Sequence, residues 1–341
     1  MKQDTVAGWI SNLINGSSSL SLLVGLVLLL GGCSSAGEQA KVLKLAHGLN
    51  IDHPVHRGMV YMGEQLQEMS NGRMSFEVYP SQQLGSERQC LELLQIGSLA
   101  MTKVSGAVME NFSPELQVLS LPYVFRDKAH IHAFQDSPLG QELLEKGSEY
   151  WLRGLTYFDA GQRSFYTKDR PIESPADLAG LKIRVQESNT AIELVRALGG
   201  APTPISWGEL YTALQQGIVD GAENNPPSFY TSRHYEVCKY YSINEHTAVP
   251  DLLVISTIVW DRLTPQEQEW LQAAADAAKV YQRQLWQVAE EEALAAVQSA
   301  GVIVIRPDKT AFAQQTAALR ESYRKQPQLY ELITQIQAIG Q

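Results

Sequence analysis

The chain has 341 residues, of which 44% are hydrophobic and 19% charged, and its formal net charge is -10. That length allows two domains of ordinary size, each with its own core. The acidic balance argues against nucleic acid as a partner, because gripping phosphates needs a basic face.

Residues 1–32 read as a signal peptide and residues 33–40 as the tether of a lipoprotein. Lys2 opens a weak basic region, and residues 20–30 are an apolar stretch too short to span a bilayer comfortably. Leu30-Gly31-Gly32-Cys33 has the form of a bacterial lipobox, in which Cys33 takes the lipid and becomes the first mature residue. An ordinary signal peptide cut near Ala36, with Cys33 lost, is the other reading. Both place the protein outside the cytoplasm. Of the remaining cysteines, Cys90 and Cys238, a disulfide is open in an oxidising compartment, but small buried hydrophobes fit better. No Cys/His spacing suits zinc or another metal.

Val42-Leu43-Lys44-Leu45-Ala46-His47 alternates as a strand does, and residues 57–70 follow as a helix. Residues 74–79 form a strand stopped by Pro80. Residues 87–96 are a helix ended by Gly97, and residues 101–105 a third strand. This rhythm predicts a mainly parallel sheet covered on both faces, with ligands beyond the carboxyl ends of its strands. A second block begins after residues 155–160. Ser174 and Pro175 start a helix that Gly180 stops. Residues 182–185 are a strand, and residues 189–198 a helix closed by Gly199-Gly200. Ser206 and Glu209 have capping-box spacing for a helix running to Gln216, which gives Glu209 a structural role. Ala222-Glu223-Asn224-Asn225-Pro226-Pro227 reads as an acid-amide turn. Residues 252–257 are strand-like. From Thr264 helical spacing then persists with no breaker before Gly301, long enough to lie across two domains.

The chemistry points to binding. There is no Gly-x-Ser-x-Gly elbow, Walker A loop or dinucleotide fingerprint, so neither an enzyme nor a cofactor is expected. Arg163 and Arg184 sit at the ends of strand-like runs, where guanidinium forks suit a small carboxylate. An arginine at Arg184 is also common as a solvated strand edge. Lys103 interrupts an apolar strand and needs a partner or a water-filled cleft; Ser105 shares its face. Asn224 and Asn225 offer amides to a carboxylate or to hydroxyls. Trp207 is either core or an aromatic wall, and His53 is expected to hydrogen-bond a polar ligand.

Several stretches together resemble the solute-binding proteins of tripartite ATP-independent periplasmic (TRAP) transporters, the DctP family. They are Tyr79-Pro80-Ser81-Gln82-Gln83-Leu84-Gly85, Leu121-Pro122-Tyr123-Val124-Phe125, Gly180-Leu181-Lys182-Ile183-Arg184-Val185, Glu209-Leu210-Tyr211-Thr212-Ala213-Leu214-Gln215 and Gly217-Ile218-Val219-Asp220-Gly221-Ala222-Glu223-Asn224. The resemblance implies a two-lobed α/β periplasmic-binding-protein-like fold, with two mixed sheets flanked by helices, hinge strands and a long spanning helix. Residues 41–160 plus 249–289 would form lobe I, and residues 161–248 plus 290–341 lobe II. It makes Arg184 the principal carboxylate-gripping arginine, Arg163 its support and Asn224 the ligand-facing amide. It places Trp207 as an aromatic wall, and Ser105 with Lys103 on the pocket strand of lobe I. The implied ligand is a small organic acid delivered to small and large membrane subunits. The polar cluster of His53, Lys103, Asn224 and Asn225 favours a hexuronate or aldonate-type sugar acid. A C4-dicarboxylate is the alternative ligand, and a ligand-sensing module without transport the alternative role.

Overall fold

The computed structural model describes residues 40–340, so the signal-peptide reading and Cys33 lie outside the described residues. Two sheets organise what is described. The first takes β1 (Lys41–Ala46), β2 (Met74–Tyr79), β3 (Met101–Ser105) and β4 (Leu152–Phe158). The second takes β5 (Arg163–Thr167), β6 (Lys182–Val185), β7 (Ala201–Pro204), β8 (Gly221–Asn224) and β9 (Tyr240–Thr247). The chain then returns to the first sheet as β10 (Asp251–Ser256) and to the second as β11 (Ile303–Ile305). The strand orders are β2-β1-β3-β10-β4 and β11-β9-β5-β8-β6-β7.

Strand–helix–strand units give the parallel pairs, β1 with β2 and β3, and β6 with β7 and β8. Of the strands that arrive from the other sheet, β5 and β10 run against their neighbours, while β11 lies parallel to β9. β10 is antiparallel to β3 and β4, and β5 to β8 and β9. The sheets are therefore mixed, and the parallel rhythm of the first hundred residues describes only part of each.

A helix of 35 residues, Pro265–Ser299, links the two cores. At 1.5 Å per residue it is about 52 Å long. Thr264 caps it and Glu267 completes the capping box, as the sequence predicts. Leu271, Ala274, Ala275, Ala278 and Trp286 pack in the core under the first sheet, while Val297 packs with Leu210 and Phe229 under the second. Helix Pro54–Met69 approaches it closely: a Cβ on Gly58 would lie 2.9 Å from the Gln282 side chain. Gln282 itself is fully buried. It accepts from the Asp159 backbone N–H at 2.7 Å and donates to the Asp159 carbonyl at 2.9 Å. Asp159 lies where the chain leaves β4 for the second sheet, so the long helix grips one of the crossings.

Three local expectations change. Ser206 does not cap a helix. Its hydroxyl donates to Glu209 Oε2 at 2.7 Å, and a 3-10 turn, Trp207–Glu209, precedes helix Leu210–Gln215. The helix expected after Ser174 is a 3-10 turn, Pro175–Leu178. The acid-amide turn is half strand. Gly221–Asn224 is buried between β5 and β6, and the turn begins only at Asn225, which caps helix Pro226–Thr231. Helix Pro327–Ala338 sets Leu329, Ile333 and Ile336 in a core with Leu116 and Phe134 beside the first sheet. Those residues form an i, i+4, i+7 stripe that buries wherever an apolar face is open. Cys90 and Cys238 are free and buried.

Gln282→Leu should cost about 2–4 kcal/mol, since it leaves a buried N–H and C=O unpaired. Urea unfolding should show a lower midpoint at unchanged slope; an unchanged midpoint would mean that the Asp159 crossing does not depend on this clamp.

Candidate ligand-binding site

The carboxyl ends of β3, β6 and β8 and the starts of β5 and β10 meet at one cleft between the sheets, where an α/β fold offers its ligand site. The cleft encloses about 620 Å³ including its mouth. The first-sheet side contributes Gln82, Glu87, Lys103, Ser105 and Asp251. The second contributes Arg163, Arg184, Trp207, Asn224, Asn225 and Ser228.

Three cations reach this cleft, all at least 95% buried by exposures of 3%, 5% and 3% for Lys103, Arg163 and Arg184. A buried charge must be paired or it costs several kcal/mol, so their partners decide their roles. Lys103 Nζ donates to Glu87 Oε1 at 2.7 Å and to Asp251 Oδ1 at 3.2 Å. Burial lowers the Lys103 pKa, but Asp251 and Glu87 more than reverse this and raise it. Burial also pushes Asp251 up to about 6, against the pull of Lys103. The ammonium is thus neutralised by the protein. Arg163 forks onto Glu223: Nη2 donates to Oε1 at 2.8 Å and Nε to Oε2, while Nη1 donates to Asn224 Oδ1 at 3.0 Å. Burial would raise Glu223, yet Arg163 and His246 hold it down to about 2.

Arg184 differs. Its Nε donates to the Ile205 carbonyl at 2.8 Å, Nη1 is buried without a partner, and no carboxylate among the described residues forms an ion pair with it. Burial lowers its pKa, and the positive charge of Arg163 adds to that. Trp207 holds the guanidinium from one face, 5.8 Å from ring centre to Cζ.

The other expected residues divide. Asn224 lies in the wall with its carbonyl oxygen occupied by Arg163 and by the Asn225 backbone N–H. Its amide nitrogen makes no hydrogen bond among the described residues and has donors to give. Asn225 lines the cleft too, but its amide spans Ser228 N–H at 2.8 Å and the Ala160 carbonyl at 2.8 Å, which makes it a brace for the turn. Ser105 is in the wall and accepts from Ala107 N–H. His53 is not in the wall. It caps helix Pro54–Met69 and contacts Ser228 Oγ at 3.1 Å. Glu87, Asp251, Glu223 and Ser228 have no distinguishing sequence signal, because their roles come from strands and helices that converge only in three dimensions.

Glu223→Gln should cost about 3–5 kcal/mol near neutral pH, because Arg163 is left buried without its counter-charge. Glu223 is depressed to about 2 from its ordinary 4.5, so its stabilisation is fully present above pH 4.5 and fades as pH falls toward 2. The gap between wild type and variant should close over that window in acid melts. A gap that does not change with pH would detach Glu223 from the pairing.

Residues 45–328 match the bacterial extracellular solute-binding protein family 7. A TRAP periplasmic solute-binding protein from Xanthobacter autotrophicus Py2, crystallised with β-D-galacturonate, is 38% identical; the match covers 87% of this chain and 99% of that one, with a TM-score of 0.85. One from Pseudomonas putida F1 with bound D-glucuronate is 35% identical, covering 88% and 98%, also with a TM-score of 0.85. The C4-dicarboxylate-binding periplasmic protein of Rhodobacter capsulatus is 31% identical over 76% of this chain and 78% of its own. The mixed sheets, the long linking helix and the cleft between them are those of TRAP solute-binding proteins, and the chain belongs to family 7 of the bacterial extracellular solute-binding proteins.

Proposed function

We propose that the chain captures a monocarboxylate sugar acid of hexuronate type and delivers it to the small and large membrane subunits of a TRAP transporter. One observation carries this reading. Among the described residues, Arg184 is the one cation of the cleft without a protein carboxylate, so the site has charge to spare for one anionic group. The rest of the wall supplies hydrogen-bonding groups. Glu87 and Asp251 accept, Asn224 donates, Gln82, Gln186 and Ser105 do both, and Ser206, whose hydrogen goes to Glu209, accepts. Such a lining matches hydroxyls. The relatives crystallised with galacturonate and glucuronate support the same class.

A C4-dicarboxylate is the second reading, favoured by the Rhodobacter relative. Its far carboxylate would meet Glu87 and Asp251 with only the already neutralised Lys103 between them, and like charges there repel. In our reading residues 41–160 plus 249–289 and residues 161–248 plus 290–326 act as lobes that close on the ligand, with helix Pro327–Ala338 carried by the first. Arg184 and Asn224 belong to one lobe and Lys103 and Asp251 to the other, so both must close for the ligand to be fully held. Cys33 would tether the protein by a lipid at the outer face of the cytoplasmic membrane, and no catalysis is required of any residue.

D-Galacturonate or D-glucuronate at 100 times its dissociation constant should add about 2.7 kcal/mol of stability in a melting experiment. Succinate and malate should add nothing. Arg184→Lys keeps the charge but loses the fork, and calorimetry should show uronate affinity lower by about 2 kcal/mol, or ~30-fold. A melting shift with succinate and none with either uronate would replace this reading with the second.

A further inference from the structure

His53 and Ser228 come from opposite sides of the cleft, one at the start of helix Pro54–Met69 and the other in helix Pro226–Thr231. Their contact has a direction that can be worked out. The Val55 backbone N–H donates to His53 Nδ1 at 3.2 Å, so that nitrogen carries no proton. Burial, with the charges of Lys103 and His56 adding to it, lowers the His53 pKa to about 3, so the ring is neutral in ordinary buffers. The single ring proton is therefore on Nε2, which faces Ser228 Oγ at 3.1 Å. The ring cannot turn over to change this. It is 1% exposed, and it packs against the buried Trp286 with ring centres 5.8 Å apart.

It follows that His53 donates and Ser228 Oγ accepts. The serine hydroxyl keeps its own hydrogen, and no acceptor for it exists among the described residues. Ser228 is itself 4% exposed and is braced by its backbone N–H to Asn225 Oδ1 at 2.8 Å. It also lines the cleft. A buried hydroxyl hydrogen with no acceptor costs free energy until one arrives. We propose that Ser228 is a specificity-determining residue that donates this hydrogen to an acceptor oxygen of the sugar acid, with His53 as the positioning residue behind it. This rests on the sugar-acid reading above and adds to it. The expected direct contact of His53 with ligand becomes contact through Ser228, and a ligand that presents only a donor or a methyl group at that spot is rejected.

The test is calorimetric titration of the full chain with D-galacturonate and D-glucuronate, using Ser228→Ala, Ser228→Thr, His53→Asn and the double variant His53→Asn/Ser228→Ala. Asparagine at position 53 keeps the helix cap but does not extend to Ser228. Ser228→Ala should weaken uronate binding about tenfold, and Ser228→Thr, which restores the hydroxyl, should recover most of it. His53→Asn should weaken binding severalfold, and the double variant should be no weaker than Ser228→Ala alone, since the histidine acts only through the hydroxyl. Uronate affinity unchanged by Ser228→Ala overturns the proposal. So do losses that multiply in the double variant, or a threonine that behaves like alanine. Failure of the wild-type chain to bind either uronate removes the sugar-acid reading itself, a result separate from any of these.

Discussion

Burying positive charge at the meeting point of two sheets is the constraint on which the site depends. Each cation brought out of water demands a compensating group, and the fold supplies two for Lys103 and one for Arg163. Glu87 enters from the start of a helix and Asp251 from the first residue of β10, and together they hold Lys103 in the strand beside them. Glu223 comes from β8 and Arg163 from the neighbouring β5, so their fork is a contact within one sheet. Arg184 alone is left with a backbone carbonyl and an indole face. In the proposed function, its missing counter-charge is what fits the cleft to an anion.

The frame keeps these groups in register across a gap. The chain moves between sheets at residues 158–163 and 247–251, and both crossings end on residues of the site, Arg163 and Asp251. The long helix runs beside them, with Gln282 holding the Asp159 backbone and Val297 seated in the other core. Fixing the crossings thus also fixes where the paired cations stand. Asn225 does the same for the turn that carries Asn224 and Ser228, by reaching back to Ala160 at the first crossing. The acidic overall charge has no part in this, since the local field inside the cleft is set by one unpaired guanidinium.

Much of this was legible where local chemistry decides structure. The capped start at Thr264, the absence of a breaker before Gly301, and the strands at residues 74–79 and 101–105 each appear as expected. Lys103, read as a lysine that needs a partner, has two. What misled was turn chemistry in the middle of a sheet. Gly221-Ala222-Glu223-Asn224 has the composition of a loop but pairs on both edges, because β5 and β6 flank it and cover its polar backbone. Residues 106–150 and β9 gave no clear pattern, being short helices and a strand whose burial is set by distant elements. The arginines and Asn224, named as candidates from sequence, line the cleft. The division of labour among the cations could not be read from sequence, since it depends on which carboxylates arrive from elsewhere.

The central claim is that one ligand carboxylate completes Arg184 while hydroxyls face Glu87 and Asp251. A crystal structure of the complex with D-galacturonate measures this directly. The account predicts the sugar's carboxylate oxygens about 2.7–2.9 Å from the Arg184 guanidinium, with the hydroxyl-bearing carbons toward Lys103 and its two carboxylates. A uronate bound the other way round, with its carboxylate on Lys103 and Arg184 left facing a hydroxyl or water, would contradict it.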